Sequence, residues 1–416
     1  MTSRTLPDRH NRPCNGCSRH RKRAAILNLA AVLALGFMAS TANAQRPFHE
    51  CVEDLGQIAS ARGISAATVE SVLPSVKPLE RVIQADRNQP EFVQTFGRYF
   101  RRRINDRRIT TGRRLYSEHR ALLDDLAVKT GVPGQYLVAF WALESNFGGF
   151  IGDVPVFDSL STLACDSRRS EMFTTEFVNA LRIVDQGTDP TRMIGSWAGA
   201  MGQTQFMPST YLAHATDGNG DGSIDIWGTA EDALASAANF VGGLGWETGV
   251  KWGREVLLPE GFDYAASGRE QERELSEWRA MGVLTAAGRP VPDLPMLASM
   301  IVPSGSEGPA FLVYDNFNVI MRWNRSVYFA LTVGHLADRI AGGGALARSP
   351  ESGDGLSRSD LLAVQQQLHE AGYDPGPVDG VLGSGTRAAL RAYQSAHDLV
   401  ADGYPSATVL AALGVQ

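Results

Sequence analysis

The segment Tyr136-Leu-Val-Ala-Phe-Trp-Ala-Leu-Glu144-Ser-Asn-Phe-Gly148 is the strongest constraint on how this chain can fold. Its first eight residues leave no polar face, so a helix built from them must be surrounded by protein. Val132-Pro133-Gly134 opens the segment, and proline is tolerated in a helix's first turn. Gly148-Gly149 can close it. One carboxylate, Glu144, therefore falls near the C-terminal end of a mostly buried helix. Burial and the negative end of the helix dipole both disfavour its ionised form and raise its pKa. A carboxyl that keeps its proton near neutral pH is what general-acid cleavage of a glycosidic bond requires. From this segment alone, a Glu paired with an Arg or bonded to backbone is the alternative.

The chain has 416 residues, 44% hydrophobic and 20% charged, which suits a globular protein of two or three domains. Residues 1–44 are different in kind. A basic cluster, Arg19 to Arg23, precedes the apolar run Ala24 to Met38, and Ser40-Thr-Ala-Asn-Ala44 follows with small residues. This is the layout of a secretory signal peptide cleaved before Gln45, which predicts an exported, periplasmic protein. The apolar run is short for a transmembrane helix, and a retained N-terminal anchor is the alternative. The leader holds seven of the 39 basic residues and one of the 45 acidic ones, so the remainder carries 32 and 44, a net charge of −12. So acidic a chain is a poor candidate for nucleic-acid binding. Cys14 and Cys17 fall in the leader, with no second pair to complete a zinc site. Cys51 and Cys165 remain; export permits a disulfide between them, the alternative being two separate buried thiols. Closing so long a loop would stabilise the fold by roughly 3–5 kcal/mol.

Residues 45–341 read as one large, mostly helical unit. Leu115, His119, Leu122, Leu123 and Leu126 follow a helical apolar period. Val256-Leu-Leu258 and Phe311-Leu-Val-Tyr314 read as short strands, so a small α+β subregion is expected between 250 and 320. Residues 342–356 are small, polar and Gly-rich, the composition of a flexible linker. The tail, 357–416, is a compact module of three amphipathic helices. Leu361, Val364, Leu368 and Tyr373 mark the first; Thr386, Ala389, Leu390 and Tyr393 the second; Val409, Leu410 and Leu413 the third. So short a unit buries only a small core and suits binding better than catalysis.

Glu144 needs partners. Gly195-Ser-Trp-Ala-Gly-Ala-Met-Gly-Gln-Thr-Gln-Phe-Met-Pro-Ser209 supplies candidates. Its small residues let backbone approach a ligand, or alternatively a neighbouring helix. Ser196 and Gln205 offer uncharged hydrogen bonds suited to sugar hydroxyls and amides. Phe206 and Trp197 offer faces for pyranose rings. Glu144-Ser-Asn-Phe-Gly with Gly199-Ala-Met-Gly-Gln-Thr-Gln-Phe-Met-Pro208 resembles the membrane-bound lytic murein transglycosylase B family. Gln94-Thr-Phe-Gly-Arg-Tyr-Phe100, Asp158-Ser-Leu-Ser-Thr-Leu-Ala164 and Trp323-Asn-Arg-Ser326 match it too. The tail resembles the three-helix peptidoglycan-binding module through Val364 to Tyr373, Asp379-Gly-Val-Leu-Gly383 and Thr386-Arg387.

The resemblance implies a lysozyme-like catalytic domain, mainly α and in part α+β, acting on peptidoglycan glycan strands. It implies that Glu144 protonates the bond between N-acetylmuramic acid and N-acetylglucosamine, then takes a proton from the muramic 6-hydroxyl that attacks C1. The product is a 1,6-anhydromuramic end. It also implies that Ser196, Gln205 and Phe206 line the sugar groove and that Asn324 lies near the cleaved bond. The family often has Tyr just before Ala330; here Phe329 stands there, with Tyr328 beside it as a second candidate. A muramidase using water at the same site, and a non-catalytic wall-binding protein, are the alternatives.

Asp217-Gly-Asn-Gly-Asp-Gly-Ser-Ile224 follows a calcium-loop pattern: Asp217, Asn219 and Asp221 at alternate positions, Gly222 at the turn, Ser223 offering a carbonyl. Position twelve is Gly228, so Asp232, or Glu231, would supply the bidentate ligand, an arrangement that resembles the calcium loop of this family. A structural calcium ion, or sodium, is expected, and a solvated Asx-turn loop is the alternative. No cofactor is expected for the chemistry itself. Eight Arg between Arg98 and Arg114 either grip the carboxylates of substrate or form a solvated face.

Overall fold

The computed structural model describes residues 47–88, 94–350 and 356–415. The expected leader, with Cys14 and Cys17, lies outside them. The helix Gly134–Ser145 runs through the largest of three catalytic-region cores, with every residue from Tyr136 to Ala142 buried. It packs against the helices Val327–Ile340, Asp106–Glu118 and Ala230–Gly243. An apolar run with no polar face is thus enclosed on all sides, as burial of its whole circumference demands.

The helix does not run on to Gly148-Gly149. Asn146 stops it in the left-handed region at φ 51°, and Phe147 follows at 61°. Such values cost a non-glycine residue about 1 kcal/mol or more unless neighbours hold them. Here Phe147 N–H donates to Trp141 O and Gly148 N–H to Ser145 Oγ. Arg108 Nη2 donates to Asn146 Oδ1 at 3.2 Å. The apolar period from Leu115 to Leu126 is also interrupted: two helices, Asp106–Glu118 and Arg120–Thr130, meet at His119.

A second core is built by the helices Phe48–Ala61, Val156–Ala164 and Ser170–Asp185 with the segment around Met201 and Phe206. Cys51 in the first of these helices and Cys165 at the end of the second form a disulfide, Cα atoms 6.0 Å apart. Trp323 packs against both cores and so lies on the seam between them.

The region from 250 to 320 holds a five-stranded antiparallel sheet, in the order Glu272–Glu274, Leu297–Ile301, Ala310–Val313, Gly253–Leu257, Leu284–Thr285. The expected runs 256–258 and 311–314 overlap two of these strands; the other three are additional. Along Ala310–Val313, Phe311 and Val313 join the large catalytic core, whereas Ala310 and Leu312 join a third core under Trp278 and Phe262. Alternate side chains face opposite sides of a strand, so a strand buried on both faces reads as unbroken apolar sequence.

Residues 342–350 are not a free tether. The N–H groups of Ala347 and Arg348 donate to the Glu255 carboxylate at 2.7 and 2.9 Å. In the tail, the helices Arg358–Glu370, Ser384–Ala396 and Ala407–Ala412 enclose a small core of Val364, Leu368, Leu390 and Tyr393. Two buried glutamines organise it alike. Gln365 Oε1 accepts from the N–H groups of Asp379 and Gly380, and Gln394 Oε1 from Gly403. Tyr373 lies beyond the first helix and packs on Tyr393. The tail is docked on the catalytic region: Ser306 N–H donates to Asp402 Oδ2 at 2.8 Å, and Arg387 Nη2 donates to Pro303 O at 3.4 Å. Among the described residues, no helix is long and apolar enough to cross a membrane.

Candidate active site

Glu144 occupies the last turn of the Gly134–Ser145 helix and is half-buried. Its carboxyl is pushed up to about 7, chiefly because burial penalises the charged form. Two neighbours pull the other way. Trp323 Nε1 donates to Glu144 Oε1 at 2.8 Å, and the Arg103 guanidinium favours the charged form through space. Desolvation wins, and the group is poised to give up and retake a proton near neutrality.

Trp323 is aimed by the rings around it. Phe140 stacks on it at 4.4 Å between centroids, and Phe240 and Phe206 flank it at 5.1 and 5.5 Å. Phe140 is one turn before Glu144 on the same helix, so a single stack fixes the indole and the carboxylate relative to each other. Arg103 is placed the same way: its guanidinium lies 3.6 Å over the Tyr99 ring. Arg108 Nη1 donates to Arg103 O. Two members of the arginine run thus serve the carboxylate's helix end. Arg113 caps Arg339 O, and Arg114 pairs with Glu118 on the surface.

The Gly195–Ser209 segment forms a tight loop closed by reciprocal bonds between Met201 and Phe206. Its glycines approach protein rather than open space. A Cβ at Gly199 would lie 2.3 Å from Leu160, and one at Gly202 would lie 2.7 Å from Ile226. Phe206 is only 2% exposed and presents no face to a sugar. That expectation is corrected: its ring is spent on Phe240 and Trp323. Trp197 is half-buried and packs on the second core. Ser196 Oγ accepts from the N–H groups of Ala198 and Ala200, so it shapes the loop first. Gln205, left-handed at φ 51°, spends its amide hydrogens on Ile151 O and Gly202 O.

Gln203, which nothing in the sequence sets apart from the rest of its motif, ties this loop to the catalytic helix. It is buried; its Oε1 accepts from Trp141 Nε1 at 2.8 Å, and its Nε2 donates to Trp227 O. A Cβ at Gly148 would lie 2.4 Å from the same Oε1. Asn324 is exposed, and its Oδ1 accepts from Ser326 N–H at the helix start that follows Trp323. Of the two aromatic candidates, Phe329 is buried near Phe140, whereas Tyr328 is half-buried against Phe96 and Tyr99.

The acidic loop is a nest of Asx turns. Asp217 accepts from the N–H groups of Gly220 and Gly222, Asn219 Oδ1 from Asp221, and Asp221 Oδ1 from Ser223. Asp232 is fully buried; its two oxygens accept from Gly218 and Asp225 N–H and staple the loop's two ends. The donors are all oxygens, the chemistry that fits a hard cation. Among the described residues, no three His, Cys, Asp or Glu side chains converge tightly enough to hold a metal ion.

The Transglycosylase SLT domain family matches residues 47–338, and the peptidoglycan binding domain family matches residues 357–413. The crystal structure of SltB3 from Pseudomonas aeruginosa in complex with NAG-anhNAM-pentapeptide superposes with a TM-score of 0.85 at 41% identity, covering 89% of this chain and 100% of that one. The membrane-bound lytic murein transglycosylase B of Escherichia coli (strain K12) is 26% identical over 303 residues, 69% of this chain and 81% of the relative. The Escherichia coli lytic transglycosylase Slt35 in complex with calcium superposes with a TM-score of 0.61 at 26% identity, covering 70% of this chain and 92% of that one. With a proton-retaining Glu144 seated on Trp323 and a docked C-terminal module, the chain belongs to the SLT transglycosylase family and is a lytic murein transglycosylase with a peptidoglycan-binding domain.

Proposed function

We propose that Glu144 acts first as acid and then as base in cleaving the bond from N-acetylmuramic acid to N-acetylglucosamine. Its carboxyl proton passes to the glycosidic oxygen as the C1–O bond breaks, and the N-acetylglucosamine 4-hydroxyl leaves. The resulting carboxylate takes the proton of the muramic 6-hydroxyl as that oxygen bonds to C1. A 1,6-anhydromuramic end is released, and Glu144 is returned to its acid form. The attacking hydroxyl belongs to the substrate, so its effective concentration is high and no activated water is needed.

The observation that carries this reading is the seat of Glu144 at the end of a buried helix, bonded to Trp323 Nε1 and with its carboxyl pKa pushed up to about 7 by burial. Among the described residues, no neighbouring carboxylate contributes to that shift. Most glycosidases need a second acid about 5–9 Å away as nucleophile or base. Ser196, Gln205, Asn324 and Tyr328 are the groove candidates; Ser196 and Gln205 belong to the loop that Gln203 ties to the catalytic helix. The catalytic region spans 45–341 in this reading and the wall-binding module 357–416. Glu144→Gln keeps an acceptor for Trp323 but has no proton to give. It is expected to cut kcat by about 10³-fold, with loss of anhydro ends in mass spectra of digested sacculi. Reducing ends without anhydro sugar in the wild-type digest would replace this reading with a muramidase. In the wild type, kcat should fall as pH rises through about 7, because the acid form is then lost.

The exported, periplasmic setting is supported by the leader-like sequence and by the Cys51–Cys165 disulfide. Calcium, or sodium, on Asp217, Asn219, Asp221 and the Ser223 carbonyl, with Asp232 bracing the loop or joining as ligand, is supported by the all-oxygen donor set and by the calcium complex of the Escherichia coli relative. Such an ion would be structural. Millimolar calcium should raise the thermal midpoint of the wild type and leave that of Asp217→Ala unchanged; equal shifts would exclude the site.

A further inference from the structure

Gln203 is only 5% exposed, yet its polar atoms reach two separate parts of the catalytic region. Its Oε1 accepts from Trp141 Nε1 at 2.8 Å, and its Nε2 donates to Trp227 O at 3.2 Å. Its main-chain N–H donates to Ile226 O at 2.9 Å. An indole N–H only donates and a carbonyl only accepts, so one orientation of the amide serves both side-chain bonds. The anchor on the Trp227 side is itself braced. Asp225 Oδ1 accepts from the N–H groups of Trp227 and Gly228, and Asp232 Oδ2 accepts from Asp225 N–H. Trp227 Nε1 donates to Ile194 O at 2.9 Å. The amide therefore rests against a stapled loop, and what it grips on its other side is held in place.

What it grips brackets the catalytic acid. Trp141 stands three residues before Glu144 and Gly148 four after it. The main chain of Trp141 also closes the turn between them. Its carbonyl accepts from Ser145 Oγ at 3.3 Å and from Phe147 N–H at 3.1 Å, and Ser145 Oγ accepts from Gly148 N–H at 2.9 Å. Three consecutive residues of this turn, Asn146, Phe147 and Gly148, have φ of 51°, 61° and 76°. Two of them are not glycine and stay there only under outside restraint. A Cβ at Gly148 would lie 2.4 Å from Gln203 Oε1 and 2.9 Å from its Cδ, so the turn is seated directly on the amide.

The charged and titratable groups on the elements around Glu144 are otherwise committed. Among the described residues, Arg103 alone acts on it through space. Arg108 bonds Asn146 and Arg103 O, Arg322 bonds Leu244 O, and Asp338 bonds Trp252 Nε1. Glu231 faces His119, and His335 lies against Phe100. We infer that Gln203 is a positioning residue for the reaction, a clamp that holds Trp141 and Gly148 in register on either side of Glu144. By keeping the turn closed it keeps water from the carboxyl and fixes the direction in which the proton is given. It acts through the turn, being too buried to touch a sugar itself. This rests on the transglycosylase reading above.

The test follows the basic limb of kcat on glycan oligomers. Gln203→Met keeps the length of the side chain and removes both of its bonds. Water should then reach Glu144 and lessen the burial that raises its pKa. The acid form is lost at lower pH, so the limb should move down by about one unit. On the acid plateau kcat should fall roughly tenfold through misplacement of the acid, while KM stays within about twofold of wild type. Trp141→Phe removes the indole bond from the other side and should move the limb in the same direction. A limb that stays in place or moves up in Gln203→Met would overturn the clamp, whatever happens to kcat or to the thermal midpoint. If Gln203→Met fails to fold, Trp141→Phe decides by the same criterion. Absence of anhydro ends from the wild-type digest would instead overturn the transglycosylase reading, and the position of the limb is still read on whichever product forms.

Discussion

At the scale of single residues, Glu144 is tuned by three opposed influences: burial, one indole N–H and one guanidinium. The first was legible in the sequence, because a lone Glu at the end of eight apolar residues has few places to find water. The second was not. Trp323 lies 179 positions away, and nothing local says that its ring will stack on Phe140 and aim its N–H at the acid. Phe206 shows the same limit from the other side, since its aromatic ring fits a sugar face equally well as a core. Trp323→Phe would keep the stack and remove the donor. A hydrogen bond to a charged acceptor contributes about 1.5–3 kcal/mol, and here it favours the ionised form. The basic limb of kcat/KM should therefore move to higher pH in the variant. A limb that stays in place would show that the indole only packs.

At the scale of elements, the long helices follow from apolar periodicity, whereas their ends follow from contacts. Asn146 closes the catalytic helix in place of the glycines two residues on, because Arg108 and the Ser145 hydroxyl hold the left-handed turn there. The sheet divides in the same way. Ala310–Val313 is buried on both faces and reads as an apolar run, whereas Gly253–Leu257 carries Arg254 and Glu255 and shows an apolar pair only at its end. Glu272–Glu274 and Leu284–Thr285 are edge strands of three and two residues with no pattern to read, set by pairing to their neighbours. The disulfide joins two helices of the second core across 114 positions. Replacing Cys51 and Cys165 by Ser is expected to cost roughly 4–5 kcal/mol through the freed unfolded chain, read by denaturant unfolding at equal m-value. A loss below 1 kcal/mol would mean that the core holds those helices without the bond.

At the scale of the whole molecule, two modules are joined by more than a tether. Ala347 and Arg348 are bonded to Glu255, and Asp402 and Arg387 are bonded to the loop at Pro303–Ser306. Removing the residues after Gly355 should weaken co-sedimentation with purified sacculi by roughly 10²-fold, the gain that a second linked contact supplies. Peptide-stripped oligomers should still be cut at the wild-type kcat. Undiminished sedimentation would assign wall binding to the catalytic region alone. By itself the sequence determined what acts over a few residues: the buried helix with its single acid, the Asx-rich loop and the separate three-helix tail. Their signals are periodicity, turn chemistry and composition, all local. Only the tertiary structure decided which ring aims at Glu144, which aromatic is core, and which buried amide braces the turn behind the acid. Those outcomes depend on desolvation and packing by residues far apart in the chain, and no local pattern encodes that sum.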